Sequence, residues 1–293
     1  VDAGLAAIGV SIDGLAETHD RVRGVPGAFD KALDALKRAQ ALGLDTSVNS
    51  QFNRESLPEL NGLFELLVEL KIKTWQVQLT VAMGRAADNE QLLLQPYQLL
   101  DVMPMIHDFY ERGLPHGLLV LPGNNIGYFG PYERKIRGSG EFTHWIGCNA
   151  GLTTLGIEAD GTIKGCPSLP TQPYSGGNVR ELSLEKIWEE SPELTFNVRR
   201  STEELWGRCK SCYYAEVCRG GCSWTTHTLL GKVGNNPYCH YRALQLAKEG
   251  LRERIEKVGE APGRPFDYGG FRIVEEPLAA PEPTRPRRPV RGM

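Results

Sequence analysis

The chain has 293 residues, of which 41% are hydrophobic and 24% charged, with a formal net charge of -3. That length supports one large domain or two ordinary ones with a well-buried core. The balance of charge gives no basic surface for nucleic acid, no apolar run approaches the roughly 20 residues that span a bilayer, and no secretory signal opens the chain, so a cytoplasmic protein with neither a nucleic-acid nor a membrane partner is expected.

In chain order, Val1 leads within a few residues into an apolar run, Leu5 to Ile12. A start so close to a buried strand predicts an incomplete N-terminus. Ala7 to Ile12 reads as that strand. Ala28 to Leu42 is predicted as an amphipathic helix, with Phe29, Leu33, Leu36 and Ala39 on one side, closed by Gly43. Leu44 to Phe52 is the next strand. Ser56 is the expected cap of a second helix, with Pro58 in its first turn, running to about Leu70. Lys73 to Val81 is a third strand. Strands and helices in this alternation predict a parallel sheet with helices outside it.

Residues from about Pro96 to Arg112 read as helix, and Leu114 to Ile146 as a Gly- and aromatic-rich loop. Between Gly151 and Pro167 the pattern becomes that of a β-hairpin turning at Asp160–Gly161. Ser183 is a plausible N-cap for a short helix from Leu182 to Trp188. Arg242 to Val258 is predicted as a charged surface helix. Seven prolines lie between Pro262 and Pro289, interleaved with Arg285, Arg287, Arg288 and Arg291, and this tail is expected to be disordered.

All seven cysteines lie between Cys148 and Cys239. An odd count argues against a complete disulfide framework, and CxxC spacing in a cytosolic protein points to metal. Cys209 and Cys212, two residues apart, can grip one centre from a single turn; Cys218 and Cys239 would complete four ligands. Cys222 is then free to join Cys148 and Cys166 at a second centre. Soft thiolates suit zinc or iron–sulfur clusters. Two zinc sites would need an eighth ligand, which His240 or His144 could supply, so spacing alone leaves both metals open.

The order Cys148-x12-Gly161-x4-Cys166, Cys209-x2-Cys212-x5-Cys218-x3-Cys222, Cys239 resembles the SPASM domain of radical-SAM enzymes. So do Gly177-Asn178-Val179 leading into Leu184-Glu185-Lys186-Ile187-Trp188, and Gly220-Gly221 before Cys222. The resemblance implies two auxiliary 4Fe–4S clusters: Cys148, Cys166 and Cys222 at cluster I, and Cys209, Cys212, Cys218 and Cys239 at cluster II. Seven thiolates leave cluster I one ligand short. Its fourth position is either open to substrate, to water or to a carboxylate such as Glu158 or Asp160, or filled by an ordinary fixed ligand.

Upstream, Val10-Ser11-Ile12-Asp13-Gly14, His19-Asp20, Arg23-Gly24, Gly27-Ala28-Phe29, Val48-Asn49 and Asn53-Arg54 resemble the later half of the radical-SAM barrel. Functional side chains of such barrels sit at the C-terminal ends of the strands. The resemblance makes Ser11, Asp13, Arg23, Asn49 and Gln78 candidate contacts for S-adenosylmethionine, with Arg23 pairing to a carboxylate of the cofactor or of Asp20. The alternative for Ser11, Asp13 and Asn49 is local backbone capping. The family's CxxxCxxC, which binds a third cluster and chelates the cofactor for radical formation, does not occur in the 293 residues.

The expected architecture is therefore α/β, the later half of a partial (β/α)6 TIM-like barrel followed by a small cysteine-rich SPASM domain with a β-hairpin. Residues 1–95 form the barrel portion, 96–147 a helix and loop connection, 148–242 the iron–sulfur domain, 243–261 a C-terminal helix and 262–293 the tail. The resemblance implies a maturase that abstracts hydrogen from a peptide or protein side chain and takes electrons from a donor such as flavodoxin or ferredoxin. The parent protein would be the enzyme; this chain alone would be inactive. Alternatives are a sulfatase-maturing or peptide-derived-cofactor enzyme and, from another class, a zinc-binding interaction module on a degenerate barrel.

Overall fold

The computed structural model describes residues 3–138, 144–261, 263 and 268–280. Four strands, β1 (Ala7–Ser11), β2 (Asp45–Phe52), β3 (Thr74–Leu79) and β4 (Leu119–Pro122), form one parallel sheet in the order β1-β2-β3-β4. Helices Ala16–Arg23 and Ala28–Ala41 follow β1, Leu60–Glu69 follows β2, and Leu99–Gly113 precedes β4. Period-two alternation divides the sheet into two unlike faces. Val48, Phe52, Trp75, Val77 and Leu79 are buried on the helix side. Ser47, Asn49, Gln51, Gln76 and Gln78 alternate with them and are only half-buried.

Trp75 anchors the apolar side. It is fully buried, its ring centroid lies 5.8 Å from that of Phe52 and 5.3 Å from that of Phe109, and its Nε1 donates to Ser50 Oγ at 2.8 Å. Ser50 in turn donates to the Ile12 carbonyl, which ties β3 through β2 to the end of β1.

Two local expectations change. Ser56 sits at the N-cap position of the turn leading into the helix after β2, but its side chain makes no cap bond; Asn53 Oδ1 instead accepts from the Glu55 and Ser56 amides, two and three residues on. The segment read as continuous loop contains β4, a four-residue strand at the sheet edge between Gly117 and Gly123. It is too short to show alternation.

After β4, Arg137 folds the chain onto the cysteine-rich region. Its guanidinium donates to the Gly123, Ile126 and Gly127 carbonyls and lies over the rings of Tyr128 and Trp145. A second sheet is antiparallel: β5 (Gly156–Ile157), β6 (Thr162–Lys164) and β7 (Ser175–Asn178). The β5–β6 turn is at Asp160–Gly161, where Asp160 Oδ1 accepts from the Thr162 amide at 2.9 Å. Ser183 caps helix Leu184–Glu190, accepting from the Lys186 amide.

The C-terminal expectations are corrected. The last helix is His240–Lys248, not 243–261, and the chain then forms a strand pair, β8 (Leu251–Lys257) with β9 (Phe271–Pro277), antiparallel from Leu251↔Pro277 to Lys257↔Phe271. Gly250, at φ 73°, ends the helix. The Arg, Glu and Lys content of 251–257 suits a helix, but the segment pairs as a strand in which Arg252, Glu253 and Ile255 are buried. The expected disordered tail is overturned at Phe271–Pro277, and Phe271 is buried in the main core. Residues 281–293, with Arg285 to Arg291, lie outside the described residues.

Replacing Trp75 by Ala would empty the junction of β3 with two helices. The expected loss is about 3–5 kcal/mol of stability, read as a lower urea midpoint with unchanged slope.

Candidate metal centres and the polar sheet face

Cys209 ends a single 3-10 turn, and Cys212 follows with its amide donating to the Cys209 carbonyl at 3.4 Å. Cys218 closes the short helix Ala215–Cys218. The next three residues all have positive φ: Arg219 at 51°, Gly220 at 83° and Gly221 at 68°. Side chains are barred at both glycines, since a Cβ on Gly220 would come within 2.8 Å of the Gly234 backbone and one on Gly221 within 2.9 Å of the Tyr128 ring. This turn carries the chain away from Cys218 before Cys222 starts the helix Ser223–Leu230. Cys239 directly precedes the helix His240–Lys248.

Cys209, Cys212, Cys218 and Cys239 line one cavity of about 250 Å³, walled by Phe129 and Tyr214, whose rings stack at 4.1 Å. Burial raises the Cys239 pKa to about 12, and neighbouring Cys209 adds to the shift. Burial also lifts Cys218 well above the thiol range, helped by Cys239, Cys209 and Cys212. The other three thiols are neighbours of one another. Burial raises Cys148 to about 12, and Cys222 and Cys166 contribute. Cys222 is raised by burial and by Cys166. A second cavity, about 310 Å³, lies beside Cys148 against Asn197 and Arg200; Cys166 and Cys222 do not line it. None of the seven cysteines is in a disulfide.

The donor set fits a group larger than one ion. Four soft thiols surround a cavity, and N–H groups already point at sulfur: Ala150 N to Cys148 Sγ and Tyr214 N to Cys212 Sγ, both at 3.4 Å. Among the described residues, no three His, Cys, Asp or Glu side chains close on one point as ligands of a single ion must. Of the histidines named for zinc, His144 has its Nδ1 2.8 Å from the Trp145 carbonyl and packs against Phe129, whereas His240 stacks on Tyr132 and its buried Nδ1 has no hydrogen-bond partner among the described residues. The carboxylates named for the eighth ligand are also occupied. Glu158 pairs with the fully buried Lys164, and Asp160 holds the hairpin turn.

The candidate cofactor residues fall on the polar face of the first sheet. Ser11 pairs in register with Asn49, and Asn49 with Gln76. Two residues further on, Gln51 pairs with Gln78, their amides 3.4 Å apart. Asp13, only 2% exposed, lies just beyond β1; its Oδ1 accepts from the Gln51 amide at 2.9 Å and its Oδ2 is 2.7 Å from Arg23 Nε. Arg23 thus pairs with Asp13, not Asp20. Asp20 instead receives the Gly27 and Phe29 amides, which hold its carboxyl below the usual range. Gln51 and Gln76 were missed by the sequence reading, although stepping by two from Asn49 and Gln78 reaches both.

Asp13→Ala would strip Arg23 of its partner and orphan the Gln51 amide. A stability loss of about 1–3 kcal/mol is expected in urea denaturation, with faster amide exchange at Gln51.

Residues 148–213 match the SPASM family, described as an iron–sulfur cluster-binding domain. An AdoMet-dependent heme synthase of Methanosarcina barkeri is 30% identical over 251 residues, 82% of this chain and 69% of that protein. A PqqA peptide cyclase of Rhizobium meliloti is 26% identical over 273 residues, 92% of this chain and 68% of that one. The solved structure of native anSMEcpe with bound AdoMet and Cp18Cys peptide superposes with a TM-score of 0.59 at 17% identity, covering 83% of this chain and 66% of that chain. The chain spans 63% to 69% of the length of the heme synthases it matches. Motif order, parallel sheet and relatives agree, and the chain belongs to the radical-SAM enzymes that carry a SPASM iron–sulfur domain.

Proposed function

We propose that this chain is the auxiliary-cluster and substrate-facing portion of a radical-SAM maturase that abstracts hydrogen from a peptide or protein side chain. Cys209, Cys212, Cys218 and Cys239 hold one 4Fe–4S cluster; Cys148, Cys166 and Cys222 hold three corners of another. The gathering of four half-buried cysteines around one cavity is the observation that carries this reading. Bound there, the clusters supply one-electron chemistry and, at the corner lacking cysteine, a coordination position for substrate.

The chain's own residues orient and enclose. Ser11, Asn49, Gln51 and Gln78 offer uncharged donors and acceptors to the adenosyl and methionyl groups of the cofactor. Asp13 and Arg23 fix the end of that row. No CxxxCxxC occurs in the 293 residues, so cleavage of S-adenosylmethionine is not assigned to them. A small one-electron donor protein such as flavodoxin or ferredoxin fits this chemistry, and unpaired thiols suit a reducing cytoplasm. No helix of the described residues is long and apolar enough to cross a membrane.

A peptide cyclase among the relatives supports a peptide substrate. The higher identity to heme synthases favours a second reading, in which the substrate is a tetrapyrrole. Anaerobic titration of the iron-loaded chain separates the two. Peptide binding without a shift of the porphyrin Soret band supports the first, and a Soret shift with no response to precursor-like peptides supports the second.

The ligand assignment has its own test. After reconstitution, Cys212→Ala and Cys148→Ala should each lose up to about four irons and abolish different EPR signals. Loss of the same signal from both variants would overturn the pairing.

A further inference from the structure

Arg242 lies on the wall of the Cys209/Cys212/Cys218/Cys239 cavity and is only 7% exposed. Its Nη1 stands 3.9 Å from Cys209 Sγ. The same nitrogen is 2.6 Å from Asn235 Oδ1 and 3.3 Å from the Asn236 carbonyl. The other terminal nitrogen, Nη2, is 2.6 Å from Glu253 Oε1, and Glu253 is 4% exposed. The guanidinium is thus held on several sides, with one nitrogen at the sulfur and the other at the carboxylate.

This pair is a poor device for stability alone. Both charges are removed from water, and Arg242 Nε and Glu253 Oε2 are buried without hydrogen-bond partners among the described residues. Buried pairs of this kind are commonly no better than apolar replacements. What the arrangement does provide is a permanent positive charge beside one thiolate. Arg208, the other arginine on this wall, is more exposed and is divided between Glu249 and Glu275, so solvent screens it more.

We propose that Arg242, oriented by Glu253 and acting through Cys209, raises the reduction potential of the cluster held by Cys209, Cys212, Cys218 and Cys239. This rests on the ligand set proposed above. One-electron reduction adds a negative charge, and a fixed cation a few ångströms away in a low-dielectric wall favours the more negative state. The cationic nitrogen 3.9 Å from Cys209 Sγ polarises the thiolate in the same direction. The carboxylate lies at the far nitrogen, so it opposes the effect only in part.

The test is a redox titration of the reconstituted chain with dithionite as electron donor, followed by EPR. The signal lost in Cys212→Ala identifies the centre. Because a lone buried charge can unfold the region, the main variant removes both charges as Arg242→Gln/Glu253→Gln. The expected result is full iron content with at least a tenfold shift of the reduction equilibrium toward the oxidised form, a fall of about 59 mV for one electron. Glu253→Gln alone should shift it the opposite way, and Arg242→Lys should retain most of the wild-type value. An unchanged midpoint in the iron-replete double variant would overturn the proposal, as would iron loss from that centre in Arg242→Lys with no change of potential in the remainder. Absence of a Cys212-dependent signal from the unaltered chain would overturn the ligand reading and this inference together.

Discussion

Partial withdrawal of the cysteine thiols from water, complete at Cys222, is the constraint on which the second half of the molecule depends. Burial disfavours the thiolate, which is the form a metal needs. In the metal-free fold, stability conferred by the protonated thiols is lost as pH rises from the ordinary thiol range toward about 12 at Cys148 and Cys239. A cationic iron core bound at the proposed ligands would reverse that sign by supplying the missing counter-charge. Folding and metal loading would then be coupled.

Tyr128 joins this module to the sheet. It is fully buried on the connection after β4, and its hydroxyl donates to the Asn124 carbonyl at 2.7 Å while accepting from the Cys222 amide at 3.1 Å. Asn236 Nδ2 also reaches that oxygen, and the Tyr241 amide donates to the Tyr128 carbonyl. One side chain is thereby bonded beside both groups of cysteines. Arg137, stacked over the Tyr128 ring, draws the preceding loop carbonyls inward and fixes the angle at which the ring enters. The relative position of the two thiol groups is consequently set by hydrogen bonds to a neutral phenol, and a neutral group does not bias the charge of either centre.

Much of this was legible in the sequence because spacing survives without context. The CxxC turn and the Asp160–Gly161 turn follow from local geometry, and the glycine pair before Cys222 from the resemblance. Strands β2 and β3 showed their period over six to eight residues. What escaped depends on distant partners. Strand β4 is four residues at an edge and exists because β3 offers it free amides and carbonyls. Segment 251–257 is rich in helix formers, yet pairing with 271–277 overrides propensity, and Glu253 is drawn inward by Arg242. For Arg23 the sequence offers Asp20 or a carboxylate of the cofactor, whereas the chain reversal between β1 and the following helix places Asp13 against it.

The polar face of the first sheet carries a different argument. Parallel sheets in α/β folds are ordinarily covered on both sides and rich in apolar residues on each. Here one side is packed with Val48, Phe52, Trp75 and Val77, and the other presents Ser47, Asn49, Gln51, Gln76 and Gln78, none of them charged. Half-buried amides in a row cost desolvation that no packing returns. The charged pair Asp13–Arg23 is kept at the strand ends, where its charges largely compensate each other. A face so composed suits a ligand recognised by hydroxyl, amide and ring-nitrogen hydrogen bonds more than by charge. The adenosyl group proposed for this face has that character.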